Sequence, residues 1–231
     1  MRTLADRLLP LVLNASLAQL HLPDGVGVLD PFNGDHAGEV RRIVGEFHRK
    51  FFGDDRPRAL MLGINPGRLG AGSTGLCFTD TKRCESELGI PVNGIRTHEP
   101  SSDFFYRMIH AAGGANSFYS RVYVSAVCPL GFVRNGPLGK PVNLNYYDDA
   151  ALRTAITPFA VQWLRSLIAC GMKTDRVLCI GTGKNLKFLE RINADHGFFD
   201  RIVALEHPRF IMQYKAKRIG AYVEKYIEAL A

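Results

Sequence analysis

Four short stretches of this chain are almost continuously apolar: 58–66 (RALMLGINP), 121–130 (RVYVSAVCPL), 176–183 (RVLCIGTG) and 201–208 (RIVALEHP). A strand covered on one face alternates apolar and polar residues; a run with no alternation is covered on both. Between these runs, three- and four-residue apolar spacing marks helices at roughly 101–112, 148–170 and 184–194, and a last helix at about 211–230. Buried strands alternating with helices specify an α/β chain: a central four-stranded parallel sheet in a three-layer α/β/α sandwich. Right-handed crossovers place all four strand C-termini on one edge, where such folds bind ligands.

The first 52 residues read differently. Leucines at helical spacing run from Leu4 to about Leu20, the Pro/Gly/Asp-rich stretch 22–36 reads as loop, and GEVRRIVGEFHRKFFG reads as an amphipathic helix. This segment is expected to be an N-terminal helical extension of one domain spanning 1–231, a length that suits a single large core. No apolar run reaches the roughly 18 residues of a membrane span. Asp6 and Pro10 argue against a secretory signal. The five cysteines, an odd number with no CxxC pair, point to reduced thiols in the cytoplasm and to no bound metal or cofactor.

The unusual residues stand where the strands end. The first strand runs into Gly63-Ile64-Asn65-Pro66-Gly67, the second into Cys128-Pro129-Leu130, the third into Gly181-Thr182-Gly183-Lys184-Asn185 and the fourth into His207-Pro208-Arg209-Phe210. None is a nucleotide motif: Gly183-Lys184 lacks the earlier glycine and the Ser/Thr of a phosphate loop, and GINPGRLG is not GxGxxG. There is also no GxSxG elbow and no HExxH. Pro66 confines Asn65 to extended backbone, so its amide either ends the strand as a local turn or holds a water or polar heterocycle at the sheet edge. His207 before Pro208 is likewise either a polar strand terminus or an electrophile aimed into the crevice. Phe78 is either a core anchor or a stacking platform for a planar ligand. His48 and His98 read as surface or helix residues, and His110 as a helix residue.

Together these residues resemble the single-strand-selective monofunctional uracil-DNA glycosylase (SMUG) family, in its bacterial SMUG-like branch. The stretch Gly63 to Phe78 is similar without a gap to that family's first motif, approximately GMNPGPFGMxQTGVPFG, and Cys128-Pro129-Leu130 and His207-Pro208 recur at the expected strand ends. Gly139 to Leu144 looks like the family's Gly-x-Asn-Leu loop, and the likeness extends over about 25–215. The resemblance implies a DNA-repair glycosylase that flips uracil or a related deaminated or oxidised base and hydrolyses its N-glycosidic bond, leaving an abasic site. It implies that Asn65 positions the water, that His207 donates to the base's O2, and that Phe78 stacks on the base. Gly63, Ile64 and Gly67 would form backbone wall, and Arg209 and Phe210 a minor-groove wedge. Two departures follow. Ser125 and Ala126 stand where the family has His-Asn, so the residue that reads the base edge is missing; either Ser125 or Asn143 substitutes, or the pocket accepts other deaminated or oxidised bases. HPRFIMQY is shorter and more apolar than the family's usual wedge, which weakens duplex invasion.

The partner so implied is DNA, single-stranded or also double-stranded, acted on by a monomer near the nucleoid with no membrane association. The rival readings are a non-catalytic single-stranded DNA-binding protein using Arg68, Arg134, Lys140 and Arg209 on phosphates, and a nucleoside hydrolase, which would call for carboxylates or a metal at the strand ends. A lyase route would need an amine in the cleft, and Lys184 is the lysine nearest a strand end. The net charge of +7 is unevenly spread. Residues 56–79, 104–147 and 207–223 hold eleven basic residues and no acid, leaving the remainder net negative. These segments are expected to ring one cleft as a DNA-tracking surface.

Overall fold

The computed structural model describes residues 2–16, 20–136 and 139–231. Its centre is the expected parallel sheet, in the order β3-β2-β6-β7, from β2 (Arg58–Gly63), β3 (Val122–Ala126), β6 (Met172–Ile180) and β7 (Ile202–Leu205). Leu60, Met61, Leu62, Val177, Leu178, Cys179 and Ile180 are all buried, as strands covered on both faces require. Helices flank the sheet. α5 (Pro100–Ala111) begins with proline at its first turn, where no N–H is needed. α7 (Ala150–Ala169) and α8 (Lys184–His196) pack on β6, and α10 (Ile219–Leu230) packs on β7 and α5.

A second sheet was not expected. β1 (Val26–Leu29), β4 (Gly131–Asn135) and β5 (Pro141–Leu144) form an antiparallel trio in the order β1-β4-β5. The stretch read as loop at 22–36 therefore contains a strand, so the first 52 residues are not purely helical. α1 spans Leu4–Leu13 only, ending at Asn14; residues 17–19 of the expected longer helix lie outside the described residues. Its Leu4 and Leu8 are buried in the common core. α2 (Ala37–Phe51) buries the face carrying Val40, Ile43, Val44 and Phe47, and also His48, which is not a surface residue.

The last helix is also divided. α9 (Pro208–Tyr214) starts directly at His207, a 3-10 turn covers Ala216–Arg218, and α10 follows. Three short helices, α3 (Ala71–Thr74), α4 (Thr81–Ser86) and α6 (Gly114–Tyr119), lie in the long β2-to-β3 connection. All five cysteines are free. No described helix is long and apolar enough to cross a membrane.

Candidate active site

A cavity of about 340 Å³ opens at the C-terminal edge of the sheet. Residues 63–67 after β2, Ser125 and Ala126 at the end of β3, and His207 after β7 all line it, with Phe78, Asn143, Arg209 and Phe210. The β6 terminus does not line it, and Tyr146 packs beside the start of α8 there. Its hydroxyl donates to Asn185 Oδ1 at 2.7 Å and its ring packs on Phe188. Asn185 in turn donates to the carbonyl of Ile180 at 3.0 Å.

The Asn65 amide is fixed by backbone. Its Oδ1 accepts the N–H of Tyr146 at 3.1 Å and its Nδ2 donates to the carbonyls of Leu144 (3.3 Å) and Pro66 (3.4 Å). The amide thus ties β2 to the end of β5 and ends the strand as a local turn, and Oδ1 retains a second lone pair.

His207 is the N-cap of α9. Its Nδ1 accepts the backbone N–H of Arg209 at 3.1 Å. A backbone amide only donates, so Nδ1 is unprotonated and the neutral ring carries its proton on Nε2. Burial, helped by the Arg209 charge, lowers its pKa to about 4. The ring is therefore an oriented, uncharged donor at neutral pH.

Phe78 is anchored in the core and also faces the cavity. It is 7% exposed, and stacks on Phe105 with ring centroids 4.8 Å apart and 22° between planes, yet it also lines the cavity. Its φ of +53° is the one left-handed value at a non-glycine residue among those described. Such backbone costs of order 1–3 kcal/mol and persists where the surroundings impose it. Gly63 makes room for the ring, since a Cβ there would stand 3.1 Å from it.

Asn143 presents a locked donor. Its Oδ1 accepts the backbone N–H of Arg68 at 3.1 Å, which turns its NH2 group the other way. Ser125 is turned aside: its Oγ accepts the Trp163 Nε1–H at 3.3 Å, and the residue is buried. Ala126 contributes only a methyl group to the wall.

Not every expected residue converges. Arg68 sits exposed beyond Gly67, and Arg134 and Lys140 lie exposed on the β4–β5 hairpin, outside the cavity wall. Lys184 is engaged with Asp148 at 3.4 Å and does not line the cavity, which removes the amine a lyase route would need there. The expected ring of eleven basic residues is also corrected. Arg56 and Arg121 stand at the opposite, N-terminal edge of the sheet beside Lys173 and Arg176. Arg58 is fully buried on the carbonyl of Tyr119 and on Asp54. Conversely, Glu99, Asn145, Tyr147, Gln213 and Tyr214 line the cavity without having been expected there. Glu99 carried only a weak signal, an acid directly before the proline that opens a helix.

The comparisons agree with this geometry. The family model described as the uracil DNA glycosylase superfamily matches residues 50–231. A solved structure of wild-type SMUG2 from Pedobacter heparinus is 47% identical, covers 99% of this chain and 97% of that one, and superposes with a TM-score of 0.95. No curated protein matches.

Proposed function

The chain belongs to the uracil DNA glycosylase superfamily and is a DNA glycosylase, a hydrolase of N-glycosyl bonds; from that premise we propose that it draws a flipped, deaminated base into the cavity between Phe78, Asn143 and His207. Extrusion from the stack costs a few kcal/mol, least in single strands and mismatches. The bond breaks with electrons moving onto the base, which leaves as an anion from an oxocarbenium-like sugar. His207 Nε2–H meets the charge that builds on the base oxygen, an interaction worth about 2.7–4 kcal/mol when preorganised in a site shielded from water. The observation that carries this reading is the Arg209 N–H bond to Nδ1, because it fixes which nitrogen holds the proton. Asn65 holds the water that adds to the sugar; a cationic sugar needs little nucleophile activation.

Asn143 takes over part of the reading lost at Ala126. Its NH2 is an obligate donor, so it favours a carbonyl on the base and disfavours the amino group that deamination removes. Gly63, Ile64 and Gly67 form the backbone wall. Arg68, Arg134, Lys140 and Arg209 serve the phosphates. Phe210 and Tyr214, exposed at the mouth with ring centroids 5.5 Å apart, serve neighbouring bases. Single strands are the better substrate, the protein acts as a monomer, and its site of action is DNA in the bacterial cytoplasm.

The test offers single- and double-stranded oligonucleotides containing uracil, hydroxymethyluracil, xanthine or hypoxanthine, followed by alkali cleavage of abasic sites. Strand scission at the lesion, faster in single strands, is expected. Tight binding with no scission at any lesion would leave a non-catalytic DNA binder.

A further inference from the structure

Glu99 sits in the cavity wall, and among the described residues its buried Oε2 has no hydrogen-bond partner. It is the N-cap of α5, yet its side chain makes no capping bond. Asp80 does the local work instead: Asp80 Oδ2 accepts the Glu99 N–H at 2.9 Å and the Ser102 hydroxyl at 3.0 Å. The Glu99 carboxyl is thereby released into the cavity, where Oε2 is buried with no hydrogen-bond donor. Gly70 is what admits it, since a Cβ at position 70 would overlap the carboxyl oxygens. An unpartnered buried acid costs stability, and such groups persist where a ligand completes them.

We propose that Glu99 is a specificity-determining residue that meets the flipped base as a neutral carboxylic acid, pairing with an adjacent N–H and C=O on the base edge. A carboxylic acid offers one donor and one acceptor in a plane, the same pair a carboxamide offers. It thus restores the hydrogen-bonding capacity that Ala126 lacks, while the locked Asn143 donor supplies discrimination. The ligand class is a nucleobase with a lactam edge. This rests on the glycosylase reading above and deepens it.

The groups around the carboxyl favour its neutral form. Burial, then the Asp80 charge, raise its pKa to about 7, with Arg209 opposing. Cys77, itself pushed up to about 12 by burial, stays a neutral thiol, and His207 stays uncharged above about pH 4. His98 bonds Asp80 at 3.2 Å from the solvent side. Glu99 is protonated below pH 7 and ionises above it, so base reading weakens as pH rises through that point.

The experiment measures single-turnover excision from a uracil-containing single strand between pH 5.5 and 9, for the wild type, Glu99→Ala and Glu99→Gln, with a 3-deazauracil strand as the probe lacking the ring N–H. Glu99→Ala is expected to lose at least tenfold on uracil at pH 6, with binding of undamaged strand within twofold of wild type. Glu99→Gln recovers most of that loss and lacks the alkaline decline seen in the wild type. On 3-deazauracil the gap between wild type and Glu99→Ala shrinks below threefold. Both variants melt at or above the wild-type temperature, since an unsatisfied acid has been removed. Equal uracil rates for wild type and Glu99→Ala, a Gln variant as impaired as the Ala variant, or an unchanged gap on 3-deazauracil each overturns the assignment. A wild type that excises no base overturns the glycosylase reading itself, which separates the two failures.

Discussion

His48, which is buried, and His207, which lines the cavity, hold their protons on opposite nitrogens, and each is decided by one backbone group. His48 faces the carbonyl of Val44 with Nδ1 at 2.7 Å, so Nδ1 donates and Nε2 accepts from the Tyr123 hydroxyl at 3.2 Å. His207 faces an N–H with Nδ1, so Nε2 donates, into the site. Removing that donor, in His207→Ala, is expected to slow excision about 100- to 1000-fold while DNA binding persists; single-turnover rates against gel-shift affinities check it. A loss in affinity with an intact rate would reject the role. Burial lowers both histidines from 6.5 to about 4. The unfolded chain takes up a proton as pH falls below 6.5, while the folded chain resists until about 4. Stability from this source is therefore complete above 6.5 and lost on acidification through that window. Urea melts at pH 7 and pH 5 are expected to show His48→Gln less pH-sensitive than wild type by about 2 kcal/mol.

At the level of elements, the site depends on a chain of side chains that crosses from one sheet to the other. Asn65 after β2 bonds the carbonyl of Leu144 at the end of β5 and the N–H of Tyr146 two residues on, and the Tyr146 hydroxyl reaches Asn185 at the start of α8. Tyr146→Phe leaves the Asn185 oxygen unpaired in a buried place, so it is expected to lower stability by about 1–3 kcal/mol in chemical denaturation. The same region shows why sequence reading reached some elements and missed others. The parallel strands were legible because each carries an uninterrupted apolar run, which burial on both faces explains for β2 and the second half of β6, while the edge strand β7 keeps the run with only Leu205 fully buried. β1 (VGVL) and β5 (PVNL) are four residues each and partly exposed, too short for any period to show. The break between α9 and α10 has neither proline nor glycine at Lys215, so the apolar spacing ran on through it. Asn65 and His207 were legible because each precedes a proline at a strand end. The place of Glu99 in the cavity wall and the locking of the Asn143 amide were not, because both arise from contacts with Gly70 and Arg68 that only the tertiary packing creates.

Over the whole molecule, the charge divides into two edges. Arg209 stands at the cavity mouth, and Arg68, Arg134 and Lys140 lie exposed on neighbouring loops and the β4–β5 hairpin. Arg121, Lys173, Arg176 and Arg201 gather at the other end of the strands, with Arg176 donating to the Leu230 carbonyl. On the proposed reading a polyanion threading the site would meet the first group alone, since the sheet separates the two edges. Net charge by itself cannot distinguish them, but counterion release can, because each phosphate neutralised on a single strand contributes about 0.7 to the slope of log affinity against log salt. Changing Arg68, Arg134, Lys140 or Arg209 to Gln is therefore expected to reduce that slope by about 0.7 each on single-stranded DNA. The same change at Arg121, Lys173 or Arg201 leaves the slope where it was, though it lowers net charge equally. Fluorescence anisotropy titrations between low and moderate salt measure both sets. A slope that follows total charge regardless of edge would mean that DNA binds diffusely over the surface. The observed division would then be an accident of where this fold places its strand N-termini.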